Sequence, residues 1–125
     1  MSVLAGSRIL VAEDEMLIAM VVETVLGDAD CQVVGPFGRL AQALKSAEQD
    51  AIDAALLDIN LHGEQVFPVA DVLTVRNIPF VFVTGYGAGG LPLRFRDSPT
   101  VTKPYRAAAV LNALTCVLSS IVRRI

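Results

Sequence analysis

Ala54-Ala55-Leu56-Leu57-Asp58 is an apolar run that ends on a carboxylate, and its reading decides the fold. An apolar run with no alternating polar position suits a strand covered on both faces, as strands of a parallel sheet are. Three other segments repeat the arrangement on either side of it. Arg8-Ile9-Leu10-Val11-Ala12 leads into Glu13-Asp14-Glu15, Phe80-Val81-Phe82-Val83 leads into Thr84, and Thr100-Val101-Thr102 leads into Lys103-Pro104. Parallel strands of one sheet bring their carboxyl ends to a common edge, which is where open α/β sheets bind ligands. Acids, a hydroxyl and an ammonium are therefore expected to meet there.

Helical periodicity fills the intervals. Leu17, Ile18, Val21, Val22, Val25 and Leu26 recur at three-and-four spacing over 15–26, with Gly27 as the expected stop. Cys31 to Val34 reads as a second strand halted by Gly35-Pro36, and Leu40 to Gln49 as a second helix. Asn60 to Glu64 reads as a loop, and Val66 to Val75 as a third helix that tolerates Pro68 in its first turn and closes at Asn77. The glycine-rich stretch 85–92 predicts a mobile or poorly formed fourth helix. Arg106 to Val122 predicts a terminal helix whose last turn is complemented by Arg123 and Arg124. Strands alternating with helices predict a flavodoxin-like (βα)5 fold, a doubly wound parallel sheet of order 2-1-3-4-5.

The 125 residues fit one domain, with a core expected over about 7–122. A composition 54% hydrophobic and 18% charged is that of a globular chain rather than a disordered one. A net charge of -3 offers no general attraction to a polyanion, so no nucleic-acid partner is expected. Cys31 and Cys116 lack the paired spacing of a zinc site and read as buried thiols. The first seven residues do not read as a signal peptide, and Ala107 to Val122 is shorter than the ~20 residues of a membrane helix. A cytoplasmic protein with no membrane partner is expected.

Glu13, Asp14 and Asp58 at one edge would concentrate negative charge and call for a cation. Mg2+ suits them, since it takes one or two carboxylates and leaves positions for water and phosphate oxygens. Asp14 and Asp58 are the expected direct ligands, with Glu13 orienting a bound water and the carbonyl of Asn60 adding an oxygen. A phosphoryl group on Asp58 would then need donors, and Thr84 and Lys103 supply a hydroxyl and an ammonium. Each residue also has a plainer reading: helix-start acids for Glu13 to Glu15, a loop cap for Asp58, strand packing for Thr84 and a solvated amine for Lys103. Lys103-Pro104 argues against the last, because an X-Pro bond can be cis and set the turn that aims the lysine inward. His62, a lone loop histidine, is assigned no role.

These motifs resemble the receiver domain of bacterial two-component response regulators over nearly the whole chain. Receivers carry an acidic pair after the first strand, a phosphoacceptor Asp after the third, Thr or Ser after the fourth and Lys-Pro after the fifth. Here those places hold Glu13 and Asp14, Asp58, Thr84, and Lys103-Pro104. The stretch 79–87, Pro-Phe-Val-Phe-Val-Thr-Gly-Tyr-Gly, further resembles the "FAT GUY" single-domain receivers, with Val83 in place of that motif's alanine. The resemblance implies phosphoryl transfer from a histidine kinase to Asp58 with Mg2+, self-dephosphorylation, and signalling or phosphate relay through a histidine phosphotransfer protein or a target protein. No output domain is expected, so output is expected through such partners, and a homodimer through the last helices is open.

Two departures bear on the readout. The switch aromatic of most receivers, three residues before the lysine, is replaced by Thr100. Tyr105 and Tyr86 are the candidates to take over, and Asn60 and Tyr86 are placed to control water access to the acyl phosphate. Competing readings are a degenerate receiver acting as a scaffold, a haloacid-dehalogenase-like phosphatase, and a flavodoxin-like cofactor carrier. The phosphatase would normally carry a second Asp where Asn60 lies. The carrier would need a phosphate-cradling loop where Glu13-Asp14-Glu15 stands.

Overall fold

The computed structural model describes residues 3–85, 90–104 and 106–124, with side chains through Ser120. Five strands form one parallel sheet: β1 (Arg8–Ala12), β2 (Gln32–Phe37), β3 (Ala54–Asp58), β4 (Phe80–Thr84) and β5 (Thr100–Thr102). Their order is β2-β1-β3-β4-β5, as the sequence pattern predicts. The register runs Ala12 opposite Leu57, Asp58 opposite Val83, and Thr84 opposite Thr102. The polar residues at or just past the ends of β1, β3, β4 and β5 therefore emerge along one edge.

Side chains alternate between the faces of a strand, and both faces are covered. Leu10, Ala12, Ala55, Leu57 and Phe82 pack against α2 (Leu40–Gln49) and α3 (Phe67–Val75). Ile9, Val11, Leu56, Val81, Val83 and Val101 pack against α1 (Met16–Asp28) and α4 (Ala107–Arg124). Covering on both sides is why β3 is apolar at every position before its terminal carboxylate. Among the described residues no helix is long and apolar enough to cross a membrane.

Four local expectations are corrected. Helix α1 continues through Gly27 to Asp28, and the left-handed residue that turns the chain is Asp30, at φ 64°. Strand β2 runs on through Gly35 and Pro36 to Phe37, with a register shift against β1 between Leu10 and Ala12. The segment read as loop, Asn60 to Glu64, instead enters a small antiparallel hairpin in which Asn60–Leu61 pairs with Glu64–Gln65. Cys31 is buried, but Cys116 is exposed on α4.

Between β4 and β5 a 3-10 turn spans Leu93–Phe95, and most of the stretch expected to hold a poorly formed helix, 86–89, lies outside the described residues. Packing holds that turn in place of helical length. Phe95 is buried against Phe82, with ring centroids 5.5 Å apart, and against Phe80 at 5.8 Å. Such edge-on pairs add about 1 kcal/mol beyond the area they bury. Arg94 forms a two-pronged pair with Asp71 of α3, at 2.9 and 3.0 Å.

Candidate functional site

Backbone donors hold the acids at the end of β1. The Glu13 amide donates to the Phe37 carbonyl at 3.0 Å, a bond that the bulge in β2 makes possible. Gly35 permits the bulge. It sits at φ 107°, and a Cβ there would lie 2.9 Å from both the Val11 carbonyl oxygen and the Phe37 nitrogen. The Glu15 amide donates to Glu13 Oε2 at 3.1 Å, and the His62 amide to Asp14 Oδ2 at 2.9 Å. His62 reaches Asp14 because it turns the hairpin at φ 50°, while Gly63 donates to Asn60 Oδ1 at 2.8 Å.

Asp58, buried at the end of β3, faces these acids. Glu13, Asp14 and Asp58 each place an oxygen so that all three lie within 4.8 Å of one another. Hard oxygen donors gathered this closely suit a hard divalent cation. Glu15 is the N-cap residue of α1 but makes no side-chain capping bond.

Lys103 closes the site from the end of β5. Its amide donates to the Thr84 carbonyl at 2.8 Å, and its Nζ lies 3.1 Å from Asp58 Oδ2, 3.3 Å from Glu13 Oε1 and 3.4 Å from Glu15 Oε1. The Lys103-Pro104 peptide is cis. Burial pulls the ammonium pKa down, but the hydrogen bond and charge of Asp58, with those of Glu13, outweigh it and hold the value above that of an ordinary lysine.

The carboxyls respond unequally to their shared space. Glu13 is pushed up to about 7, first by burial and then by its hydrogen bond to Asp58, against the lowering effects of the Glu15 amide and Lys103. Burial also pushes Asp14 upward, yet the His62 amide, its own amide and the hydrogen bond to Glu13 bring it below the ordinary carboxylate value. Without a divalent ion Glu13 thus exchanges its proton around neutral pH.

Of the residues expected at the site, Glu13, Asp14, Asp58 and Lys103 converge. Thr84 is buried on the adjacent strand end, and Asn60 lies in the hairpin that follows Asp58. Tyr86 and Tyr105 lie outside the described residues. Sequence reasoning missed the His62 amide on Asp14 and the Glu15 carboxylate on Lys103. A positive-φ backbone at His62 leaves no mark in residue type, whereas the third acid of Glu13-Asp14-Glu15 was visible but assigned to no partner. It also missed an apolar surface beside the site. Met16, Leu17, Met20 and Val21 are exposed on α1, and a groove of 480 Å³ is lined by Glu15, Leu17, Ile18, Val21, Lys103 and Pro104.

Comparison with known proteins agrees with this edge. The family model for the response regulator receiver domain matches residues 9–115. The chain is similar in fold to SdrG from Sphingomonas melonis Fr1, with 45% identity, a TM-score of 0.80, and coverage of 90% of this chain and 97% of that one. It is also similar to the response regulator PhyR from Brucella abortus, with 27% identity, a TM-score of 0.81, and coverage of 96% of this chain and 51% of that one. Among curated proteins it is 26% identical over 116 residues to the transcriptional regulatory protein PdtaR of Mycobacterium tuberculosis, covering 90% of this chain and 57% of that protein. The chain belongs to the response regulator receiver domain family.

Proposed function

We propose that this receiver domain accepts a phosphoryl group on Asp58 from a phosphohistidine of a partner kinase and signals or relays it through protein partners. The observation that carries the reading is the Lys103 Nζ 3.1 Å from Asp58 Oδ2, beside three carboxylate oxygens within 4.8 Å of one another. An Asp58 oxygen attacks phosphorus, and the bond from phosphorus to the kinase imidazole nitrogen breaks, leaving its electron pair on that nitrogen. Glu13, Asp14, Asp58 and the carbonyl of Asn60 are the residues to hold Mg2+, which when bound neutralises charge on the transferring oxygens. Lys103 and the Thr84 hydroxyl donate to the phosphoryl oxygens. Water later attacks phosphorus, the bond to the Asp58 oxygen breaks, and inorganic phosphate leaves.

The exposed α1 side chains and the groove beside Lys103 support docking of the kinase on that flank, since a large apolar patch next to a reactive group is the expected mark of a partner surface. Thr100 occupies the place of the usual switch aromatic, so readout of the phosphorylated state is assigned to Tyr86 and Tyr105. Incubation with radiolabelled acetyl phosphate or a cognate kinase tests the reading. Label should enter in a Mg2+-dependent manner and be lost in Asp58→Asn. A folded protein that takes no label from any donor would overturn it.

A further inference from the structure

We propose that Glu15 is a positioning residue that occupies one of the Lys103 N–H bonds while Asp58 is unmodified, and that release of this pair governs how fast a phosphoryl group is accepted. The proposal rests on Asp58 being the phosphoacceptor. An ammonium has three N–H bonds, and the Lys103 Nζ already faces three carboxylates, those of Asp58, Glu13 and Glu15. A phosphoryl group arriving on Asp58 brings further acceptor oxygens, and Lys103 must give up a partner to serve one. Glu15 is the one to lose. Its contact is the longest of the three at 3.4 Å, and its side chain is 62% exposed where those of Glu13 and Asp58 are 4% and 10%.

The chemistry of Glu15 is also separable. Its amide supports Glu13, whereas its carboxylate makes no helix cap and lies outside the cluster of Glu13, Asp14 and Asp58. Among the described residues Lys103 is the partner recorded for that carboxylate. Glu15 and Lys103 both line the groove beside α1, so an occupant of the groove lies against this ion pair.

Glu15→Asp and Glu15→Gln test the proposal together. Aspartate keeps the charge but shortens the reach, and glutamine keeps the length but loses the charge. Both variants should accept phosphate from acetyl phosphate about twofold to fivefold faster than the parent chain, the range open to an exposed ion pair. In the metal-free protein both should also shift the NMR signals of the Lys103 ε-methylene. Acceleration by Glu15→Gln alone, with Glu15→Asp behaving as the parent, would mean simple repulsion of the anionic donor and would overturn the proposal. Unchanged Lys103 signals in both variants would overturn it as well, even with phosphorylation intact. Failure of the parent chain to take phosphate on Asp58 would instead defeat the functional reading beneath it.

Discussion

The two flanks of Asp58 are built on different principles. On the β1 side the acids are tied down by backbone amides: Glu13 by that of Glu15, and Asp14 by that of His62. On the β5 side a three-residue strand presents one lysine whose head group is placed by charged side chains, shared among three carboxylates. A backbone-held flank keeps its geometry whatever the ionic state, while a charge-held flank responds when charge arrives. That division suits a site in which a cation must find fixed ligands and an added anion must change something.

The sharpest way to break the comparison is Lys103→Ala. If the charge-held flank acts on the transferred group, phosphorylation from acetyl phosphate should slow by about 10²-fold, the usual cost of losing a donor to developing charge. Mg2+ binding, followed by NMR titration, should tighten because the acids lose their competing cation. Weaker Mg2+ binding would mean that Lys103 holds the acids in place, and the two flanks would not be independent.

Next in size is the pH response of Glu13. Its pKa is about 7 in the folded chain against a usual value of 4.5, so between these pH values the folded state binds more protons than the unfolded one. Metal-free stability should therefore fall as pH rises through that window and level off above it, by about 3 kcal/mol. Glu13→Gln should flatten the profile in urea melts at pH 5 and pH 8. In the parent chain Mg2+ affinity should weaken by up to about tenfold per pH unit below 7, since a proton must leave for the ion to bind. A parent profile already flat over this window would show that the cluster is fully ionised at neutral pH.

The smallest expected effect sharpens the backbone side. Gly35→Ala forces a Cβ to within 2.9 Å of two backbone atoms at a positive φ and should cost about 1–3 kcal/mol. Gly38→Ala meets nothing closer than 3.6 Å, the Asp14 Cα, and should change the urea midpoint by no more than about 0.5 kcal/mol allows. Equal effects at the two positions would mean that the bulge does not set the position of Glu13.

Much of the fold was legible because strand burial writes itself into composition. β3 is apolar up to Asp58, and Leu40 to Gln49 forms α2 with the bounds its periodicity suggests. Helix α1 was less legible. Its apolar positions span 17–26, yet Ala19, Val22 and Leu26 are buried while Leu17 and Val21 are 78% and 57% exposed. Periodicity shows that a helix has an apolar face, but the neighbour that covers it, or fails to, belongs to the packing. The run through Gly35-Pro36 was misread for a related reason: glycine and proline usually stop a strand, and here a bulge absorbs them.

The sequence by itself determined the five parallel strands in outline, their order and the polar residues that follow four of them, because these follow from local patterns of burial and from the handedness of parallel crossovers. Only the tertiary structure decided that Glu15 meets Lys103 across 88 residues, that the His62 amide takes an oxygen of Asp14, and that part of α1 stays uncovered beside the site. Such contacts depend on where the turns return the chain over the sheet edge, to within an ångström or two. Residue type alone does not carry that distance.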